Sequence, residues 1–471
     1  MTQRIRPVLE ISGGASAVAP YQASGWPPAA EASGGNSFLG AVIWVPALVI
    51  AGVMIYFHLP IAAIFTLGAA LLVHSVFLPR IAVYALVAVI PIEWMVSVIP
   101  NVTSAAKLIG AYAMLVSVPR IMTAAMPTQW DRSAKWMIML LVWALLSIVW
   151  SPYPEFGLVG WQSLVLIWGI PVLVCVHFRD EQCIHLLMKV YVASCLINAA
   201  ALMVSGDLLG IVEGGQRQEL SSFVGQAATE TTGSVNTLAR HFAICVFICF
   251  YLLIVERKTW QRMVLPVVIA CFSVGIVVLK GRAVYVGLPA ALVGAVILLG
   301  GAGVLKRVLL IGLISIIGGL GAVVVIKLGF FGEGIVERFD SIFKEGFEAG
   351  SRGLFWKQHI QAMVNTAFIG RGINQLQFLP EASYHVAHND LISIAGQLGL
   401  IGVVSFLAFH ASLVMRMRKI PHLWTKMFCL MTWCFMIFAG LTEDDFPLKY
   451  YTLAVAWILC LVHLYEHRRI A

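Results

Sequence analysis

Charged side chains are scarce in this sequence. Asp, Glu, Lys and Arg make up 11% of its 471 residues, whereas hydrophobic residues make up 60%. An ordinary soluble domain has about 25% charged residues, and a mean hydropathy of +0.90 leaves too few polar side chains to cover a water-facing surface. The composition excludes a soluble enzyme, a disordered protein and a nucleic-acid-binding domain. The net charge of +8 instead fits a membrane protein with Lys and Arg in its cytoplasmic loops.

Motifs for metals and nucleotides are also missing. The nine cysteines form no CxxC pair and no Cys/His cluster with metal spacing, and most lie within apolar runs, where we expect small buried hydrophobes. No ATP-binding motif occurs. The glycine-rich turn IGRGINQ, residues 369–375, is not a dinucleotide fingerprint because no strand–helix unit surrounds it. We therefore predict neither a metal nor a cofactor.

Long apolar runs are what the sequence has in abundance. A helix needs roughly 17–25 such residues to cross a bilayer, and about fourteen runs approach that length, with twelve as the lower bound. They predict an all-α polytopic membrane protein. The predicted spans are 38–58, 60–78, 81–99, 105–123, 134–150, 159–177, 184–205, 237–256, 262–280, 283–300, 306–328, 390–414, 424–441 and 448–465.

Basic residues orient these spans, because every second connection carries them. The connections between, such as SPYPEFG and TEDDFP, are poor in Lys and Arg. By the positive-inside rule both termini are predicted to be cytoplasmic. The basic connections contain Arg80; Arg120, Arg132 and Lys135; Arg179; Arg257, Lys258 and Arg262; Lys306 and Arg307; Arg416, Arg418, Lys419 and Lys426; and Arg468 and Arg469.

The chain divides into four predicted segments. Residues 1–37 are rich in Gly, Ala, Ser and Pro and lack the apolar core of a signal peptide, so we predict a disordered cytoplasmic tail. Residues 38–328 form a transmembrane bundle with an outer loop at 206–236. Residues 329–389 form a large outer loop whose stretch GSRGLFWKQHIQAMVNT predicts an amphipathic helix. Residues 390–471 are the C-terminal transmembrane helices.

Two histidines lie where the large loop returns to the membrane. His385 and His388 belong to the stretch SYHVAHND, and a histidine near its neutral pKa at this junction is a candidate general base. The alternative is an interfacial anchor, or a polar helix start with Asn389 or Asp390 as its cap. The stretch by itself leaves both interpretations open.

Arginines are the other candidates on the predicted outer face. Arg282 follows Lys280 in a tight turn between two spans; it either snorkels to the headgroups or binds phosphate through its planar fork of donors. Arg352 either binds an anion or pairs with Glu345 or Glu348. Further candidates are Arg217, Arg338 and Arg371. Without an ATP motif the energy must come from the substrate, and a lipid-linked pyrophosphate supplies it.

Acidic side chains are assigned no functional role. Glu443, Asp444 and Asp445 are interpreted as a solvated turn rather than a substrate contact or a metal site. Glu93 and Lys107 lie near neighbouring span ends and could pair with each other.

Between residues 280 and 405 several segments resemble one family. In order they are KGRAVY, ERFDSIF, SRGLFW, FIGRGINQLQF and AHNDLISIAGQLGLIG. They resemble the arginine at an outer span end, the arginine-rich loop, the Arg-x-x-x-Trp helix, the Gly-x-Gly turn and the His-Asn segment of the O-antigen ligase and polymerase superfamily. The likeness lies in their order, their spacing and their predicted side of the membrane.

The resemblance implies a GT-C-like, metal-independent, inverting glycosyltransferase of the bacterial inner membrane. Its donor would be an undecaprenyl-pyrophosphate-linked oligosaccharide, bound on the periplasmic side. Arg282 and Arg352 would hold the pyrophosphate. His388 would accept the proton of the attacking sugar hydroxyl, or orient that hydroxyl for in-line attack. Arg217, Arg338 and Arg371 would be secondary binding residues.

Several alternatives stay open at this point. A polymerase of an exopolysaccharide, capsule or O-antigen repeat unit is favoured over a ligase that transfers the glycan to lipid A-core, on the tail and the span count. A transporter or flippase for lipid-linked sugars would also need many spans and cations, although no internal repeat is visible. A non-catalytic scaffold is a further rival. A flippase and a chain-length regulator are the expected protein partners.

Overall fold

Every described element of the protein is a helix. The computed structural model describes residues 43, 46–48, 50, 60–96, 105–123, 130–204, 235–256, 258–279, 282–300, 350–376, 387–442 and 448–467. Residues Leu71–Ile470 belong to one compact unit, which contains the candidate site. The α-helices are α1 Pro60–Phe77, α2 Arg80–Val89, α3 Ala105–Thr123, α4 Trp130–Leu146, α5 Pro154–His177, α6 Glu181–Val204, α7 Val235–Val255, α8 Thr259–Val278, α9 Arg282–Leu299, α10 Gly350–Asn365, α11 Asp390–Met417, α12 Leu423–Thr442 and α13 Lys449–His467. Two 3-10 helices, Ile90–Val96 and Ser147–Trp150, follow α2 and α4.

Eight of the described helical segments are long and apolar enough to cross a membrane. They are Ala105–Thr123, Ser133–Trp150, Pro154–His177, Glu181–Ala201, Asn236–Val255, Thr259–Val277, Asp390–Met417 and Leu423–Thr442. Two shorter apolar segments, Gly68–Phe77 and Val284–Leu299, accompany them. These segments confirm the prediction of an α-helical membrane protein.

Within the described residues, helices also lie where the other spans were predicted. The predicted span 81–99 is a short α-helix that continues as a 3-10 helix. The predicted spans 38–58 and 306–328 fall almost wholly outside the described residues, as do the tail 1–37 and most of the loop 206–236. The count of fourteen, the GT-C-like fold and the orientation therefore stay predictions.

Helix α13 lies at the centre of the packing. Every residue from Tyr450 to Val462 is buried, which is expected for a helix that is hydrophobic all round and contacts other helices on each side. Trp168 of α5 packs edge-on against Tyr451 and against Phe409 of α11, with ring centroids 6.3 and 5.4 Å apart. These large rings join three helices inside the bundle.

One buried histidine of the bundle has a structural role. The indole Nε1 of Trp433 donates to Nδ1 of His410 at 3.1 Å, and Nε2 of His410 lies 2.8 Å from the hydroxyl of Tyr451. Because an indole nitrogen only donates, Nδ1 must accept and Nε2 must carry the proton. Both ring nitrogens are thus satisfied in a neutral imidazole, which links α11, α12 and α13.

Helix α11 is broken at Gly399. Its φ of 64° and ψ of −159° fall in a region essentially restricted to glycine. A break inside an apolar helix leaves backbone groups that are costly unless they find partners, and residues 366–376 supply most of these. The bonds are Arg371 N to Gly396 O (3.0 Å), Gly372 N to Gln397 O (2.9 Å), Leu400 N to Phe368 O (2.8 Å) and Trp143 Nε1 to Leu398 O (2.7 Å).

The break divides α11 into two parts with different surroundings. At 1.5 Å per residue, the part from Gly399 to Met417 is about 28 Å long, close to the roughly 30 Å of a hydrocarbon core. The first part packs instead with α10. We refer to α10, residues 366–376 and residues 387–398 together as the cap.

The cap rests on the corner between α4 and α5. Gln375 exchanges two hydrogen bonds with the backbone of Tyr153, at 3.1 and 2.9 Å. Trp150 Nε1 donates to Gly370 O at 2.9 Å, and Ile373 N donates to Ser147 Oγ at 3.0 Å. This places the SPYPEFG connection and part of the large loop at the same end of the bundle, as the alternation of basic connections predicts.

Replacing Gly399 by Ala is expected to destabilise the protein by at least about 2 kcal/mol. A Cβ at this position would lie 2.0 Å from Phe368 O, on backbone that the cap holds in place. Denaturant titration in detergent measures the loss. Gly68→Ala is the control, because nothing lies within 4 Å of its Cβ position; equal stability of the two variants would contradict the argument.

Candidate active site

The described residues include four of the six predicted site residues. His388 and Arg371 are described with their side chains, whereas Arg282 and Arg352 are described as backbone positions in α9 and α10. Arg217 and Arg338 lie outside the described residues. The geometry of the site is therefore built around His388.

His388 adopts a left-handed backbone conformation, with φ of 50°. This region is uncommon for residues other than glycine, although His is among the types enriched in it. Its neighbours hold it there: Trp356 Nε1 donates to the carbonyl of buried Ala387 at 2.8 Å, and Asn389 begins α11. Strained backbone of this kind persists where the surroundings over-determine it and clusters at functional sites. The imidazole itself is half-buried.

Asn389 and Asp390 attach this segment to the end of α12. The Oδ1 of Asn389 accepts from Ile392 N at 3.2 Å, which makes Asn389 the N-cap, and its Nδ2 donates to Leu441 O at 3.2 Å. A Cβ on Gly440 would lie 2.0 Å from Oδ2 of the buried Asp390, so the two helices meet closely only because residue 440 has no side chain. The helix-start interpretation therefore holds for Asn389, while His388 is the residue before this N-cap.

Arg240 is a residue of this region that the sequence analysis did not identify. It lies near the start of α7 and is only 1% exposed. Its Nη2 donates to Thr442 Oγ1 and its Nη1 to the hydroxyl of Tyr450, both at 3.4 Å. A single arginine in an apolar span is by default a candidate functional residue, and this signal was present in the stretch TLARHFAICV.

Arg282 begins α9 at the same level as the end of α12. The two helices pack along each other, with Gly287 against the rings of Phe435 and Phe438 and Gly294 against Cys434. Since their residue numbers run in opposite directions, the five residues before Gly287 carry α9 about 7.5 Å toward the end of α12. Arg282 therefore lies level with that end.

Arg352 lies one helical turn before Trp356 in α10. The indole of Trp356 is bonded to the residue before His388, so the first turn of α10 passes beside the histidine. Around the end of α12 the structure thus places His388, the side chain of Arg240 and the backbone positions of Arg282 and Arg352. That the side chains of His388, Arg282 and Arg352 act together on one ligand stays a prediction.

Arg371 is not part of this group. Its amide is bonded to Gly396, which lies about two turns along α11 from His388, and its segment contacts the corner between α4 and α5. Its Nε is buried without a hydrogen-bond partner among the described residues. Arg371 therefore lies near the corner between α4 and α5, away from the end of α12.

A buried ion pair holds the start of α13, next to the end of α12. Lys449, the first residue of α13, donates to Glu93 Oε1 at 2.6 Å, and this partner of Glu93 is not suggested by the sequence. Lys107, the partner considered for Glu93, donates to Ser163 Oγ at 3.4 Å. Lys449 directly precedes Tyr450, so the ion pair fixes the helix turn that contacts Arg240. The acidic turn 443–445 lies outside the described residues.

A second histidine of the cap differs from His388 in its surroundings. His359 of α10 is buried against Gly396, and its Nδ1 bonds to Phe355 O at 2.8 Å. Burial lowers the pKa of His359, and the bond to the carbonyl only partly opposes this shift. A neutral ring with a backbone partner is a packing element, so His388 is the better candidate base. Among the described residues no group of three or more His, Cys, Asp and Glu side chains could hold a metal ion.

Comparisons with known proteins leave the family open. No protein-family model matches this sequence, and a search of curated proteins finds no match. The resemblance to the O-antigen ligase and polymerase superfamily rests on the segments between residues 280 and 405 and stays a prediction.

Replacing Trp356 by Phe is expected to loosen the segment that holds His388. The change removes the donor for the buried Ala387 carbonyl and should cost about 1–2 kcal/mol. Amide exchange of the peptide covering 387–398 is expected to quicken. Trp260→Phe is the control, since Trp260 is 62% exposed; unchanged exchange in Trp356→Phe would show that the bond does not hold this segment.

Proposed function

We propose that this protein is a membrane glycosyltransferase that moves a glycan from an undecaprenyl-pyrophosphate carrier to a sugar hydroxyl. The observation that carries the proposal is the convergence at the end of α12: a strained, half-buried histidine, the first residue of α9 and the first turn of α10. A base and two arginine-bearing positions beside the membrane suit a donor that is both anionic and lipid-anchored.

The reaction forms a bond between the acceptor oxygen and the anomeric carbon and breaks the bond from that carbon to the pyrophosphate. His388 takes the proton of the attacking hydroxyl, and the electron pair of the broken bond leaves with the pyrophosphate. Attack opposite the leaving group inverts the anomeric centre. A positioned base contributes about 10²–10⁴-fold to such a step.

The arginines act on the leaving group. Negative charge grows on the pyrophosphate as it departs, and guanidinium groups fixed beforehand stabilise that charge better than mobile water does. We assign this role to Arg282 and Arg352. Arg240 is a positioning residue, because its hydrogen bonds join α7 to the ends of α12 and α13.

We propose further that the protein is a polymerase of an exopolysaccharide, capsule or O-antigen repeat unit. The test is turnover of a defined lipid-linked repeat unit by the purified protein, with and without lipid A-core. A ladder of longer lipid-linked products without lipid A-core is expected, with the same turnover in EDTA. A single transfer that requires lipid A-core would show a ligase instead.

A transporter of lipid-linked sugars is the second candidate, and the feature that suggests it is the break in α11. Broken helices form the binding sites of many transporters, where free backbone groups meet the ligand. At Gly399 the neighbouring backbone groups are instead bonded to residues 366–376 and to Trp143. Movement of an intact lipid-linked unit across a vesicle, with no new glycosidic bond, would favour the transporter.

A further inference from the structure

Three arginines meet at the end of the bundle opposite the candidate active site. Arg80 begins α2, Arg120 lies in the last turn of α3, and Arg179 follows α5. The charge pattern predicts this end to be cytoplasmic. The arginines come from three separate connections, so their meeting is a property of the fold.

Contacts between the three helices bring these arginines together. His177 Nε2 lies 2.8 Å from Ser117 Oγ, which ties the end of α5 to α3 one turn before Arg120. The rings of Tyr84 and Phe178 meet edge-on, with centroids 4.9 Å apart. This contact ties α2 to the residue just before Arg179 and lies one turn from Arg80.

Arg120 is directed toward the other two helices. The inward stripe of α3 consists of Ala106, Gly110, Ala113 and Ser117, all of them buried. Arg120 is the next position of that stripe, at a spacing of three residues. Its side chain is half-buried, as is that of Arg80.

The positive charges lie close enough to act on one another. All three act on His177, and the charge of Arg80 acts on Arg120. Two carboxylates, Asp180 and Glu181, follow in the chain, so three guanidinium groups stand against two carboxylates in these connections. An additional anion would stabilise this arrangement.

Apolar side chains also lie beside Arg80 on the outside of the bundle. Val76 and Phe77, at the end of α1 and within four residues of Arg80 along the chain, are 59% and 58% exposed. An anion that also carries acyl chains would cover these side chains.

We propose that Arg80, Arg120 and Arg179 form a phosphoryl-binding site that holds the headgroup phosphate of an anionic phospholipid. Arginine forks match phosphate oxygens and form charge-assisted hydrogen bonds to them. The apolar neighbours would contact the acyl chains. The site is separate from the reacting centre, and its existence does not depend on the proposed glycosyl transfer.

The test measures lipid binding to the delipidated protein in neutral detergent. The three probes are phosphatidylglycerol, phosphatidylcholine and inorganic phosphate. The binding of each probe is measured by native mass spectrometry and by the shift in unfolding temperature. In Arg120→Gln/Arg179→Gln we expect roughly tenfold weaker binding of phosphatidylglycerol. Arg418→Gln is the matched control, since Arg418 is an exposed arginine at the same end of the bundle, and it should bind as the unaltered protein does.

The outcomes separate the sources of the phosphate. A shift with phosphatidylglycerol alone supports the lipid site, and an equal shift with inorganic phosphate supports a phosphoryl site filled from solution. Equal shifts with phosphatidylglycerol and phosphatidylcholine would overturn the proposal, as would full binding by the double variant. If the double variant does not fold, Arg80→Gln decides by the same criteria.

Discussion

Replacing His388 by Asn is expected to slow the proposed glycan transfer by about 10²–10⁴-fold while the fold stays intact. The substitution removes the proton acceptor, but Asn tolerates the left-handed conformation, with φ near 50°, about as well as His does. The backbone of Asn389 and its bond to Leu441 should therefore be preserved. The rate with a lipid-linked repeat unit and the unfolding midpoint of the same preparation measure the two effects.

Two further variants distinguish chemistry from structure at residue 388. His388→Gly should be equally slow yet more stable than His388→Asn, because glycine adopts a positive φ without the cost of about 1 kcal/mol that other residues bear. His422→Asn alters an exposed histidine at the opposite end of the bundle and should keep its rate. Full activity in His388→Asn would exclude the imidazole as the base.

The helices of this protein could be predicted from the sequence, and the physical reason is local. A run of some twenty apolar residues has to satisfy its own backbone in a membrane, which makes a helix the expected structure wherever the run occurs. The amphipathic stretch that forms α10 and the helix N-cap at Asn389 both follow from patterns within a few residues. These elements agree with their predictions.

The connections that build the site were not predictable in the same way. Gly399 stands in the stretch QLGLIG, where a glycine is compatible with an intact helix, and the groups that stabilise its break come from residues 366–376 and Trp143. Arg240 lies within an apolar span, where the pattern of charged connections assigns it no role. Its importance depends on Thr442 and Tyr450, more than 200 positions away. Contacts across such distances leave no periodic pattern in a single sequence.

Replacing Glu93 by Gln is expected to destabilise the protein by about 3–5 kcal/mol. Lys449 and Glu93 have side chains only 16% and 4% exposed, so water cannot replace the lost carboxylate at the ammonium. The start of α13, with Tyr450 beside Arg240, should loosen first. Denaturant titration in detergent measures the loss of stability, and Glu256→Gln is the comparison. Its partner Lys189 is 34% exposed and also donates to Gln261 Oε1 at 3.0 Å, whereas Glu256 is 14% exposed. The ammonium of Lys189 keeps water and a second partner, so the loss of stability should be smaller than at Glu93.

The double variant Glu93→Gln/Lys449→Met shows whether the loss comes from the uncompensated charge or from packing. Removing both charges abolishes the attraction but also the cost of burying two ions, so most of the stability should return. If glycan transfer also recovers, the pair serves only to fix the turn that contacts Arg240. If the double variant is as unstable as Glu93→Gln, the loss of stability does not come from a buried lysine without its carboxylate. That result would contradict the proposed role of the ion pair beside the end of α12.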